Sequence, residues 1–274
     1  MARLIPIDDP DDPRVAAYRQ VRERDLVGRR GGFIAEGEVV LRVLLTGGGP
    51  HRAGSLLVDG KRLAKLSSLI ESLPDAIPVY VAGQGMLDEI AGFNIHRGIL
   101  AHGLRAPDPG ATALLAGLGE RALVLVLHGI ANHDNMGGLF RNGAAFGVDA
   151  VLLDATSCDP LYRKAIRVSV GAALKVPFAR LAPGEDILAL LEAAGVEALA
   201  LSPGGAEPLA GLVRPPRAAL LLGAEGPGLP PDLLARVRTF RIPMASGWDS
   251  LNVSSAAAVA LHELMCGAGA SRSP

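Results

Sequence analysis

Residues 122–147 read ALVLVLHGIANHDNMGGLFRNGAAFG. The first six are apolar without a break, lacking the alternation of a strand that is wet on one face. Such a run predicts a strand covered on both sides, as in a parallel sheet. Asn132, His133, Asp134 and Asn135 follow, side chains suited to loops and helix caps. A helix is then expected over 135–146, closed by Gly147, which tolerates the left-handed turn that ends helices. The same alternation recurs downstream. VDAVLLD (148–154), VEALALS (196–202), RAALLLG (217–223) and TFRIPM (239–244) read as buried strands. Helical stretches near 161–173, 185–195 and 230–236 separate them, and a last one spans 252–266, where Val253, Ala257, Ala260, Leu261 and Leu264 recur at helical spacing. The pattern predicts an α/β domain around a parallel sheet.

Upstream the alternation is shorter. GFIAEG (32–37), SLLVDG (55–60), IPVYVAG (77–83) and HRGILAHG (96–103) read as strands; EVVLRVLL (38–45), 61–73 and 85–92 read as helical. This predicts a smaller α/β domain over 1–106. A Pro- and Gly-punctuated stretch, LRAPDPGATALLAG (104–117), marks the boundary. The expected organisation is therefore domain 1–106, linker 107–118, domain 119–267, and a Gly/Ser tail over 268–274 expected to be disordered.

At 274 residues the chain exceeds a typical single domain of ~100–200 residues. Hydrophobic residues make up 49% and aromatics only 4%, so aliphatic side chains must fill the cores. No apolar run reaches the ~18 residues of a membrane span, and the start lacks a secretory apolar core. Cys158 and Cys266 follow no metal or redox spacing and read as reduced thiols. A cytoplasmic location is expected. A net charge of −1 argues against a general nucleic-acid coat. One patch departs from that neutrality: Arg14, Arg19, Arg22, Arg24, Arg29 and Arg30 face only Glu23 and Asp25 between positions 14 and 30.

Ligands of open α/β sheets bind beyond the carboxyl ends of strands. Three segments there carry unusual chemistry. After the first strand, Gly137 and Gly138 fall inside a helix, where each Gly costs ~1 kcal/mol relative to Ala. Close backbone approach explains them better than propensity. Arg141, on the same helix, reads as a surface residue capping carbonyls or as a site residue. GAEGPGLP (223–230) is a tight turn or a contact loop with one carboxylate, Glu225. It lacks the dinucleotide-binding Gly spacing, and the carboxylate disfavours a pyrophosphate. The third segment, IPMASGWDSLNV (242–253), brings Ser250, Leu251 and Asn252 to a helix mouth, where one N-cap would suffice.

In that order, NMGGLFR (Asn135–Arg141), RVSVGA (Arg167–Ala172), GAEGPGL (Gly223–Leu229) and IPM (242–244) with SLNV (250–253) resemble the SpoU (TrmH-like) branch of the SPOUT RNA methyltransferases. The match covers roughly 120–266. More loosely, FIAEGEVVLRVLL near the start is similar to the RNA-binding extension of many members, which has a small ribosomal-protein fold. One departure is the lack of an Asp-Pro before the motif Asn, where this chain has NHDN (132–135).

The resemblance implies a SPOUT domain with a trefoil knot, a homodimer with its active site at the subunit interface, and S-adenosylmethionine as methyl donor. It implies methyl transfer to a ribose 2′-hydroxyl of RNA, rRNA rather than tRNA, without a metal. The donor's adenine would meet the backbones of Gly223, Ile242 and Leu251, with Leu222 and Met244 beside it, and Gly223 would permit close approach. Arg141 would bind a phosphate and orient the hydroxyl, with Asn135, Glu225, Ser250 and Asn252 orienting Arg141 and the ribose. Arg19, Arg22, Arg29 and Arg30 would contact RNA. Trp248 is expected to pack against its loop. Two other classes compete: an RNA-binding or ribosome-assembly protein without catalysis, and a nucleotide-dependent oxidoreductase, which the missing phosphate-binding Gly motif disfavours.

Overall fold

A computed structural model describes residues 3–19, 31–46, 48–246 and 250–266. Arg22, Arg24, Arg29, Arg30 and Trp248 lie outside the described residues. Contacts divide the chain into two compact units, Met1–Pro107 with Asp159–Lys175, and Asp108–Cys158 with Val176–Pro274.

The first unit holds strands β1 (Leu4–Pro6), β2 (Gly32–Glu36), β3 (Arg52–Asp59), β4 (Val79–Ala82) and β5 (Ile99–Leu104), in the order β1-β4-β3-β5-β2. β4 runs parallel to β1 and β3, whereas β5 is antiparallel to β3 and β2. One sheet face is covered by the 3₁₀ turn Pro13–Tyr18 and the helix Gln84–Ala91, which bury Val15, Tyr18, Leu87 and Ile90 against Ile34, Leu57 and Leu100. The helical reading of 61–73 breaks into the turn Gly60–Arg62 and the short helix Ser67–Glu71.

Segment 159–175, which the linear reading placed in 119–267, packs with this first unit. Its helix Arg163–Val168 lies against β2. Glu36, 4% exposed at the end of β2, accepts a 2.9 Å hydrogen bond from Arg163 and lies 3.7 Å from Arg167. The Arg163 guanidinium also stands 4.0 Å from the centre of the Phe93 ring. A buried carboxylate needs such partners, because an uncompensated one is strongly destabilising. The expected single helix over 161–173 stops at Val168. Val170 and Gly171 adopt left-handed backbone, and a 3₁₀ turn, Ala172–Leu174, follows.

The second unit is a seven-stranded sheet, parallel throughout: β6 (Ala122–His128), β7 (Ala150–Leu153), β8 (Phe178–Arg180), β9 (Glu197–Leu201), β10 (Glu207–Pro208), β11 (Arg217–Gly223) and β12 (Arg238–Arg241). Their order is β10-β12-β9-β11-β6-β7-β8. β6, β7 and β11 are buried along nearly all their length, which is why their sequences run apolar without alternation. Val124, Val126, Leu152, Ala219 and Leu221 pack with residues of helices Ala111–Ala116 and Ile187–Ala193. On the opposite face Leu125 meets the helix His133–Ala145 at Gly143. The last described helix, Val253–Cys266, packs on His133–Ala145 and buries the five residues its spacing predicted. The strand order reverses between β11 and β6, so the carboxyl ends of these central strands open a crevice of the kind that holds ligands.

Candidate active site

The helix His133–Ala145 starts where the sequence predicted. Asn132 is its N-cap, accepting hydrogen bonds from the backbone N–H groups of Asp134 (2.7 Å) and Asn135 (3.4 Å). Asn135, Gly138 and Asn142 fall three and seven residues apart, one stripe of an α-helix. That stripe faces the last helix. Asn142 Nδ2 donates to the Ser254 carbonyl at 2.7 Å, and a Cβ on Gly138 would overlap the Ser254 hydroxyl. The helical glycine therefore permits close approach of two helices. Asn142 and Ser254 are contacts the sequence reading missed. The Asn-x-x-Gly-x-x-x-Asn spacing was the signal for them.

Asn252 joins the segments. Its Nδ2 donates to Asn135 Oδ1 at 2.9 Å and to Glu225 Oε1 at 2.8 Å. Its Oδ1 accepts from the N–H groups of Ser254 (3.0 Å) and Ser255 (3.3 Å), so it is also the helix cap. One side chain thus ties together the first helix, the glycine loop after β11 and the mouth of the last helix. Arg141 is not in this network. It is exposed, has no hydrogen-bond or ion-pair partner among the described residues, and does not line the neighbouring cavity. The expectation that Asn135, Glu225, Ser250 and Asn252 orient Arg141 within one chain is corrected accordingly. Six residues of helix turn Arg141 by about 120° from Asn135, onto another face.

A cavity of about 560 Å³ lies at the carboxyl ends of β9 and β11. Leu222, Gly223, Ile242, Met244 and Leu251 all line it, and Glu225, Ser250 and Asn252 contribute to the same wall. The volume is within the ~300–1,000 Å³ of small-molecule sites. Glu225 is the one ionisable side chain among the lining residues. Its charge suits a cationic ligand and opposes a phosphorylated one. The residues present therefore fit a sulfonium donor: apolar side chains and strand-end backbone for an adenine, one carboxylate for a positive centre.

Gly223 has a different reason to be glycine than the sequence suggested. A Cβ there would overlap the backbone of Gly228 and Leu229, because the loop folds back through an Ala224–Gly228 bridge. Gly226 and Gly228 both have positive φ within that loop. Gly223→Ala should therefore displace the loop backbone and destabilise the protein by about 1–3 kcal/mol. Calorimetric titration should show S-adenosylmethionine affinity lost along with the lowered melting temperature. An unchanged affinity would mean the loop does not shape the pocket.

The two described arginines of the basic stretch are already engaged. Arg14 pairs with Asp12, while Arg19 donates to Asp11 Oδ1 at 3.0 Å and the Asp12 carbonyl at 2.7 Å. Arg19 is thus partly neutralised as an RNA contact. Among the described residues no group of three His, Cys, Asp or Glu is arranged to hold a metal ion, and no helix is long and apolar enough to cross a membrane.

The family model of the SpoU rRNA methylases matches residues 122–262, the span that carries this network. The chain belongs to the SpoU rRNA methylase family. Similarity extends well beyond the matched span. An uncharacterized tRNA/rRNA methyltransferase of Mycobacterium tuberculosis is 40% identical over 268 residues, covering 93% of this chain and 89% of its own. The 23S rRNA (guanosine-2′-O-)-methyltransferase RlmB of Acinetobacter baylyi is 32% identical over 211 residues, covering 75% of this chain and 84% of its own. The fold is shared with an AdoMet-bound rRNA methyltransferase from Sinorhizobium meliloti, with a TM-score of 0.80 at 20% identity over 97% of this chain and 99% of that one.

Proposed function

We propose that this SpoU methylase transfers a methyl group from S-adenosylmethionine to a ribose 2′-hydroxyl of ribosomal RNA, as a homodimer in the cytoplasm. The observation that carries the reading is the Asn135–Asn252–Glu225 network at the rim of an apolar cavity with a single negative side chain. Relatives named for rRNA methylation support the choice of substrate. A trefoil knot formed where the chain threads the 242–252 region belongs to the same reading.

The bound donor supplies an electrophilic methyl on a sulfonium. The chain's own residues supply position. Leu222, Ile242, Met244 and Leu251 exclude water around the donor, and Glu225 balances its charge. Asn252 fixes the Glu225 carboxylate by donating to Oε1. Aligned reactants of this kind need little further help. Arg141, permanently protonated, holds a phosphate and orients the hydroxyl rather than taking its proton. Because Arg141 stands clear of its own chain's network, it serves the site of the second subunit. Ser250 and Asn135 border the ribose.

Two measurements test the reading. S-adenosylmethionine or S-adenosylhomocysteine should raise the melting temperature, and NAD should not. Labelled methyl should pass from donor to an unmodified rRNA transcript and appear as a 2′-O-methyl nucleotide. Transfer to tRNA alone would move the substrate assignment, and transfer to no RNA would overturn the reading.

A further inference from the structure

We infer that the sheet face around His102, in the first unit, is a seat for an unpaired base of the RNA substrate. The inference rests on the RNA-methyltransferase reading above. The cover of that face ends at Tyr18, whose hydroxyl is occupied by Ser55 Oγ at 2.8 Å and by the His102 N–H at 3.1 Å. Beyond Tyr18 the strand ends lie open. Leu104, two residues after His102 on β5 and on the same face, is 46% exposed. Arg52, opposite Leu104 in the register, is exposed as well.

The imidazole lies across neighbouring strands because glycines make room for it. A Cβ on Gly32 of β2 would overlap Nε2, and one on Gly54 of β3 would stand 3.3 Å from Nδ1. Gly54 falls where the β3–β5 register shifts. Neither ring nitrogen hydrogen-bonds to a described residue, and the Tyr18 ring meets the imidazole edge-on at 6.5 Å. The result is an aromatic ring with free in-plane polar atoms, an exposed Leu and a guanidinium on one flat surface.

A nucleobase presents the complement: a π-face to stack and an edge of donors and acceptors. Charge favours the same occupant. The described chain leaves this rim at Arg19 and returns at Gly31, and the sequence between them carries four Arg against two acids. An unpaired base is required, because a paired one keeps its faces in the duplex stack.

The test compares full-length wild type with His102→Ala, His102→Phe and Gly32→Ala. Binding of a fluorescein-labelled single-stranded 12-nucleotide RNA is read by anisotropy, beside the same strand annealed to its complement. Stacking one base is worth a factor of about ten or more in affinity. His102→Ala should weaken single-strand binding about tenfold and leave duplex binding alone. His102→Phe should restore it, since the ring stacks without its nitrogens. Gly32→Ala, which pushes the imidazole off its floor, should behave like His102→Ala. On an rRNA transcript the Ala variants should raise KM by the same factor with kcat unchanged. Wild-type affinity in His102→Ala, equal loss on duplex, or failure of His102→Phe at an unchanged melting temperature would each overturn the inference. If wild type methylates no RNA, the proposed function fails, while the anisotropy comparison still decides this one.

Discussion

Arg141→Ala should lower kcat for methyl transfer by about 10²–10³-fold, the usual cost of removing one charge-stabilising donor from an active site. Melting temperature and S-adenosylmethionine affinity should stay at wild-type values. The contrast follows from the side chain's position. Arg141 is exposed, makes no hydrogen bond or ion pair with a described residue, and does not line the cavity. Surface substitutions of this kind change stability by no more than about 0.5 kcal/mol. Arg141→Lys should recover only part of the rate, because an ammonium keeps the charge without the planar fork. Single-turnover kinetics with titration calorimetry separate the two quantities. Loss of donor affinity in Arg141→Ala would place the residue in the pocket instead. Mixing Arg141→Ala subunits with subunits inactivated at Asn252 should restore activity if each site takes its arginine from the second subunit.

Asn252→Asp is the second large effect. Asp caps a helix as well as Asn does, so the acceptors for Ser254 and Ser255 survive and the melting temperature should hold. The Nδ2 donor does not survive. Asn135 Oδ1 and Glu225 Oε1, at 2.9 and 2.8 Å, lose their shared partner, and a second carboxylate arrives beside Glu225. Methyl transfer should fall about 10²-fold, in line with the loss of one positioned donor. Asn252→Ala should lose the same activity and about 1 kcal/mol of stability through the cap. If Asn252→Asp turned over at the wild-type rate, the residue would be a cap and nothing more.

Strands of the second unit were legible where burial leaves a signature. β6, β7, β9, β11 and β12 lie within apolar runs. β1, β8 and β10 went unread because two or three residues cannot show a period; pairing alone defines them. The helix expected over 161–173 failed for a local reason, the left-handed pair Val170–Gly171. At the site, Leu222, Gly223, Ile242, Met244 and Leu251 lie along one cavity because strand ends and their loops stay local in sequence. The separation of Arg141 from Asn135 was readable from helix geometry, six residues being a different face. The fold-back that makes Gly223 obligatory depends on a bridge five residues on, which spacing does not reveal.

The excursion of 159–175 into the first unit has an evolutionary consequence. The chain passes between units three times, at 107–108, 158–159 and 175–176. A recombination event with one breakpoint near 107 would import a foreign β2 opposite native Arg163 and Arg167. Glu36 and its two arginines must therefore be inherited together although 127 positions separate Glu36 from Arg163. Lineages exchanging the first unit would need two breakpoints more, flanking the inserted segment. A chimera that carries both pieces from one parent should fold, and one that mixes them should carry a buried carboxylate facing the wrong partner.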